Sequence, residues 1–182
     1  YIWPAFHQIR SELALLRWRS AGVDRCPVVI RVASGGYLRG GAIYHSQSAE
    51  TMFTHIPGLR VVMPSNAQDA NGLLRTAIRC DDPVIFLEQK SLYRTLKGEL
   101  DEGIAPVRPG VAALRREGDS LSIISWGAML HRCLAAAESA ASEGLECEVL
   151  DLRSLCPLDL DAIYQTVRHT GQVLIVHEDN LT

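Results

Sequence analysis

The sequence has few aromatic residues, 6% in all, and no long apolar run. Nothing approaches the ~18 uncharged apolar residues of a membrane-crossing helix, so no transmembrane segment is expected. Neither sign of charge dominates: 18 Lys+Arg face 21 Asp+Glu, for a net −3. The basic excess that would hold a phosphate backbone is missing, and nucleic acid is not an expected partner. CxxC pairs are absent. The five cysteines, Cys26, Cys80, Cys133, Cys147 and Cys156, are scattered and odd in number. That spacing excludes a disulfide scaffold and a zinc ribbon, and it fits reduced thiols. A strand followed by GxGxxG is missing, as is GxxxxGK[ST]. Gly35 to Gly41 follows a strand pattern but carries no Lys and opens no helix directly, so no nucleotide site is expected.

What remains is the composition of an ordinary globular protein, 47% hydrophobic and 21% charged. That excludes disorder, collagen-like repeats and coiled coils. The 182 residues fit one large domain or two small ones, at roughly 100–200 residues each. The chain opens at Tyr1 without Met or a signal peptide, and stops just after an apolar run that reads as a buried strand. Both ends read as cuts through a fold, and a fragment is expected.

Apolar spacing at Phe6, Ile9, Leu13, Leu16 and Trp18 predicts a helix from Pro4 to about Ser20, with Arg10, Arg17 and Arg19 opposite. Pro27–Val32, Leu59–Met63 and Pro83–Glu88 read as strands. Ser48 to His55 reads as a short helix capped by Ser48, and Ala67 to Arg79 as a longer one. From Gln89 to about Asp119 the periodicity dissolves into Gly, Pro and charge, with one short strand at most. Beyond it, Leu121–Trp126, Gly127–Glu143, Glu146–Leu150, Leu158–Arg168 and Gln172–Val176 alternate strand and helix. The fold class is therefore α/β with parallel sheets. The expected domains are residues 1–95, a linker at 96–118, and residues 119–182.

Tyr44-His45-Ser46-Gln47-Ser48 is the strongest candidate for chemistry. His45 follows a glycine-rich loop at the end of a strand, where open α/β sheets place ligands, and an imidazole can carry a proton near neutral pH. A buried histidine bonded to backbone is the alternative reading of the same residues. His55 reads as structural, Arg31 and Arg94 as structural or interface residues, and His131 and His169 as surface residues.

These residues also resemble a known family. His45-Ser46-Gln47-Ser48, Phe53-Thr54-His55-Ile56-Pro57-Gly58-Leu59, Val61-Val62-Met63-Pro64-Ser65 and Asp82-Pro83-Val84-Ile85-Phe86-Leu87-Glu88 follow one pattern almost unbroken to Arg94. Ser125-Trp126-Gly127-Ala128, the run from Glu148 to Asp159, and Val176-His177-Glu178 extend it. The pattern is similar to the β subunit, or β half, of the thiamine-diphosphate-dependent decarboxylase component of 2-oxo acid dehydrogenase complexes. The resemblance implies a pyrimidine-binding domain followed by a transketolase-type C-terminal domain, both truncated. It implies an α2β2 heterotetramer with thiamine diphosphate at the α/β interface, the diphosphate and Mg²⁺ on the α subunit and the aminopyrimidine on this half. It implies acyl transfer to a lipoyl group on a dihydrolipoyl acyltransferase component, in bacterial cytoplasm or the mitochondrial matrix.

Within that resemblance His45 matches the histidine implicated in acyl transfer. Tyr1 aligns with an aromatic residue against the aminopyrimidine. Ala77, Ile78, Cys80 and Asp82 match a turn whose backbone carbonyls hold K⁺, with Cys80 replacing the usual Asp and Asp82 standing where Asn is common. The glutamate that ionises the cofactor lies upstream of Tyr1 in the family, and no residue here takes its role. The wording favours branched-chain 2-oxo acids, with pyruvate and acetoin as runners-up. Transketolase and 1-deoxyxylulose-5-phosphate synthase share the later pattern but not the HSQS loop. A docking remnant without catalysis is the non-enzyme alternative.

Overall fold

The computed structural model describes residues 2–36, 40–98, 100 and 105–180. The N-terminal segment is helical but irregular. A 3₁₀ turn at Trp3–Ala5 leads into α1 (Phe6–Gln8), a π turn at Ile9–Leu13 and α2 (Leu16–Arg19). The expected apolar stripe is only partly used: Ile9 is buried, whereas Trp18 is 80% exposed.

The other elements follow in chain order: β1 (Val29–Ser34), α3 (Glu50–Thr54), β2 (Arg60–Val62), α4 (Ala67–Ile78), β3 (Val84–Gln89), α5 (Leu92–Thr95), β4 (Ala113–Arg116), β5 (Leu121–Ser125), α6 (Ala128–Ala141), β6 (Cys147–Asp151), β7 (Ser154–Cys156), α7 (Leu160–Thr170) and β8 (Val173–Val176). The first sheet has the order β1-β3-β2-β7 and the second β4-β6-β5-β8. β1, β3 and β2 run parallel, in the register Ser34↔Gln89 and Val62↔Phe86. β6, β5 and β8 also run parallel. Each sheet gains one antiparallel edge strand, β7 on β2 and β4 on β6, so both sheets are mixed. β4 rises from the stretch read as linker, where one short strand was allowed for.

Local chemistry explains the boundaries. Asn66 caps α4 by accepting the Asp69 N–H at 2.8 Å. Asp159 caps α7 through the Ala162 N–H at 3.0 Å, and Gly171 ends it at φ +71. Ser48 does not cap α3: Ala49 holds that position without a side-chain bond, and the Ser48 hydroxyl donates to Glu178 instead.

One core serves both sheets. Phe53, Leu59, Val61, Met63, Ile85 and Leu87 pack with Ile124, Leu150, Leu152 and Leu155. The outer face of the first sheet buries Val62, Val84 and Phe86 against Leu73 and Ala77 of α4. β8 is not the buried strand its composition implied. It lies at a sheet edge, and Val173, Leu174 and Ile175 are exposed.

A charged clasp also joins the sheets. Asp151, fully buried, accepts from Ser65 Oγ at 2.9 Å and from Arg115 Nη2 at 3.0 Å. Arg115 reaches Asp69 as well, and Arg153 Nη1 meets Asp69 at 3.0 Å. Ser65 Oγ in turn accepts the Gly127 N–H at 2.9 Å. His131, expected at the surface, is half-buried with Nε2 2.7 Å from the Ser65 carbonyl. The packing of α6 on the Ser65 turn, invisible in a helical pattern, accounts for it.

Candidate functional site

The carboxyl ends of β1, β3 and β8 converge, and the loop that carries His45 crosses above them. That loop leaves β1 through Gly35, whose φ is +87. A Cβ there would lie 2.0 Å from Gln89 Oε1 and 2.5 Å from Glu178 Oε1, so any other residue would be strained at that φ and would displace both side chains.

Four contacts stake the loop down. The Gly35 N–H donates to the Gln47 carbonyl at 3.0 Å. The Trp3 indole donates to Gln47 Oε1 at 3.0 Å. Ser48 Oγ donates to Glu178 Oε1 at 3.2 Å. Lys90, just past β3, donates its ammonium to the His45 carbonyl. The His45 N–H closes a turn onto the Gly41 carbonyl at 3.0 Å. His45 is exposed on this anchored loop. A side chain held by its own backbone yet open to solvent can meet a substrate without first unfolding anything.

Below the loop lies an acidic floor. Asp179 Oδ2 accepts from the Thr51 N–H at 3.2 Å and the Thr51 hydroxyl at 2.6 Å. Gln89 Nε2 donates to Glu178 Oε1 at 2.9 Å. The Trp126 and His177 rings stack at 5.3 Å, and His177 Nδ1 accepts the Asp179 N–H at 3.2 Å. Glu50, the first residue of α3, is only 3% exposed. Burial pushes its carboxyl above the usual range. Asp179 and Glu178 push the same way, while its own backbone N–H and the Trp126 indole pull against them. By distance and angle, neither Glu50 oxygen has a hydrogen-bond partner among the described residues.

A groove of about 960 Å³ opens between the loop and this floor, lined by Trp3, Ile43, Ser46, Met52, Glu178 and Asp179 among others. Among its described lining residues there is no lysine or arginine. A larger groove of about 1120 Å³ runs past Leu13, Trp18, Pro57 and Cys156 and shares no lining residue with it. The smaller groove is the functional candidate, because it adjoins His45 at the carboxyl ends of parallel strands.

Tyr1 lies outside the described residues; Trp3, two positions on, lines the groove. Ala77, Ile78, Cys80 and Asp82 stand together at the end of α4, away from the groove lining. There the Ala77 carbonyl accepts the Cys80 N–H at 3.1 Å. The Asp82 carboxylate is held by Arg60 at 2.8 Å and Arg17 at 2.9 Å. Sequence reasoning passed over Glu50, Gln89, Lys90 and Asp179. A glutamate at a helix start and a lysine after a strand both read as solvated. Only the register Ser34↔Gln89 and the return of β8 bring them under the loop.

Residues 3–95 match the transketolase pyrimidine binding domain, and residues 110–182 match the transketolase C-terminal domain. The chain is 46% identical over 181 residues to the 2-oxoisovalerate dehydrogenase subunit beta of Bacillus subtilis (strain 168), covering 98% of this chain and 54% of the relative. It is 46% identical over 173 residues to the beta subunit of an acetoin:2,6-dichlorophenolindophenol oxidoreductase of Cupriavidus necator, covering 95% and 51%. It is 40% identical over 178 residues to the pyruvate dehydrogenase E1 component subunit beta of Bacillus subtilis (strain 168), covering 98% and 54%. The chain thus spans about half the length of these relatives. A solved split-gene transketolase, described as an inactive beta4 tetramer, superposes with a TM-score of 0.78 at 24% identity. It covers 97% of this chain and 53% of that one, and shows the fold alone.

Proposed function

We propose, from the premise that this chain belongs to the transketolase family through its pyrimidine-binding and C-terminal domains, that it is the β part of a 2-oxo acid dehydrogenase decarboxylase component. The observation that carries the reading is His45, exposed on a loop staked at four points beside a groove at the strand ends. Relatives named for 2-oxoisovalerate, acetoin and pyruvate support this substrate class. A branched-chain 2-oxo acid is the substrate we favour.

Thiamine diphosphate, when bound, supplies the nucleophilic carbon that lets a 2-oxo acid lose CO₂. The groove fits the neutral heteroaromatic half of that cofactor. Its walls are apolar at Trp3, Ile43 and Met52, and Tyr1, which lies outside the described residues, is the aromatic residue proposed for the aminopyrimidine. It does not fit the diphosphate, because no cation lines it among the described residues. Nor do three His, Cys, Asp or Glu side chains gather for a metal among those residues. A partner α subunit is proposed to hold the diphosphate and Mg²⁺. His45 would give a proton to the lipoyl sulfur that leaves as the dithiolane ring opens. The Lys90 contact on its carbonyl fixes where the ring starts. The acyltransferase that carries the lipoyl arm is the second partner, and the compartment is bacterial cytoplasm or mitochondrial matrix.

The Ala77–Asp82 turn would hold K⁺ through its backbone carbonyls. The Asp82 carboxylate is already committed to two arginines, which leaves carbonyls as the donors.

The test is the full-length gene product with its α subunit, assayed on 2-oxoisovalerate and pyruvate with an artificial electron acceptor and then with lipoamide. Cofactor-dependent turnover is expected with both acceptors. His45→Ala should keep turnover with the artificial acceptor and lose it with lipoamide. No turnover on any 2-oxo acid by a folded assembly would overturn the reading and leave a docking module.

A further inference from the structure

The chain carries a net −3, yet three arginines line one small cavity. Arg60, Arg79 and Arg108 surround about 350 Å³ together with Cys80, Pro106 and Pro109, and no carboxylate lines it among the described residues. The cavity lies at the C-terminal end of α4 and shares no lining residue with the His45 groove. Arg79 and Arg108 are exposed and Arg60 is half-buried, so their charged ends can meet a ligand from solvent.

A different segment holds each arginine. Arg60 opens β2 and gives Nε and Nη2 to Asp82 Oδ2, at 3.2 and 2.8 Å, which leaves its Nη1 edge to spare. Arg79 follows α4 and gives Nη1 to the Arg75 carbonyl at 2.7 Å, which leaves Nε and Nη2. That bond also masks part of the negative helix end, which would otherwise repel an anion. Arg108 gives no hydrogen bond and makes no ion pair among the described residues. Its segment is nonetheless fixed beside α4. The Val107 N–H donates to the Gly72 carbonyl at 3.2 Å, and the Val107 side chain packs with Leu73 and Phe86. Pro106 and Pro109 lock φ on either side. The two acids of the adjoining turn are already engaged, Asp82 by Arg60 and Arg17, and Asp81 by Arg25 at 2.7 Å. Three like charges around one hollow repel one another, and an anion placed in it relieves that repulsion.

We propose that this cavity binds a phosphate monoester, with Arg60, Arg79 and Arg108 as its donors. A guanidinium keeps its charge, and its planar fork matches phosphate oxygens in pairs. A monoester head brings three acceptor oxygens and close to two negative charges. A carboxylate, with two oxygens and one charge, would leave one arginine unanswered. The proposal is independent of the decarboxylase reading. It needs only the three arginines and the hollow between them.

The experiment titrates the full-length gene product with methyl phosphate by calorimetry, against methanesulfonate at equal ionic strength. All probes are sodium salts, so the K⁺ reading of the Ala77–Asp82 turn does not enter. Saturable binding is expected for methyl phosphate alone. Arg79→Gln and Arg108→Gln should fold as the parent does, by circular dichroism, and each should bind roughly fivefold or more weakly. Cys80, half-buried in the lining, reports the location. Methyl phosphate should slow its alkylation by iodoacetamide, read by peptide mass mapping. Cys26 and Cys156, which line the larger groove, should label at an unchanged rate. N-acetyl-O-phosphoserine N-methylamide separates the two sources of such a group. Tighter binding than methyl phosphate assigns the site to a phosphorylated chain, and equal or weaker binding to a free phosphate ester. No saturable binding, binding that leaves Cys80 unprotected, or undiminished binding by both folded variants would overturn the proposal.

Discussion

Arg115→Met cuts the clasp between the two sheets. Arg115 gives Asp151 Oδ2 two hydrogen bonds, at 3.2 and 3.0 Å, and also reaches Asp69. Without it, Asp151 keeps Ser65 Oγ at 2.9 Å and the Arg153 N–H at 3.2 Å, and remains fully buried. Asp69 keeps Arg153 and Asn66. Stranding a buried charge by removing its partner costs about 3–5 kcal/mol. Met recovers part of the lost apolar contact, and Asp69 retains a cation, so about 3 kcal/mol is expected at neutral pH. Burial already holds the Asp151 carboxyl above its ordinary range. A carboxyl whose folded pKa is raised favours folding below its unfolded pKa and loses that contribution as pH rises through the folded one. The Arg115→Met deficit should therefore shrink on acidification from neutral pH. Urea unfolding followed by circular dichroism, at neutral and mildly acid pH, measures both. Adding Asp151→Asn should return most of the deficit, because a neutral amide needs no counter-charge. A loss below about 1 kcal/mol would refute the clasp as an energetic unit, as would a double mutant no more stable than Arg115→Met.

Gly58→Ala should cost about 3 kcal/mol or more: φ is +94, and a Cβ would lie 2.0 Å from the Ala14 carbonyl. Gly22→Ala, at φ +86 with nothing within 4 Å, should cost only about 1–2 kcal/mol, and thermal melts would rank the two. Tyr93 donates to Glu88 at 2.5 Å, and burial followed by that bond pushes its hydroxyl up to about 12. Its stabilising contribution is intact below about pH 10 and fades as pH climbs toward that value; phenolate absorbance should show one late transition that Tyr93→Phe removes. KCl should raise the melting temperature above LiCl at equal ionic strength if the Ala77–Asp82 turn takes a monovalent cation, and identical melts would remove that reading.

The strands and the longer helices were legible because their signals are local. β-branched runs gave β1, β3 and β5, and α4 and α7 announced themselves by cap and period. β7 was not legible. Three residues carry no period, and the pairing Val61↔Cys156 spans about half of the chain. The His45 loop was legible as a motif, but its anchors were not. Ser48 bonds Glu178 130 positions away, and the side chain that would have capped a helix is spent on that contact. Trp18 shows the converse failure. Helical spacing places it on an apolar face, but nothing among the described residues covers it.

The hop from β6 to β7 uses only Leu152 and Arg153, the latter at φ +56. A chain that has just finished a strand in one sheet therefore starts its next strand in the other. Nothing made earlier provides the neighbour that β2 meets in β7, so a ribosome must deliver Cys156 before the first sheet can close. A protease nick between Leu96 and Val111 would sever the backbone without freeing either piece. The two fragments would still be laced together by β2, β7 and the shared core, and should migrate and melt as one molecule.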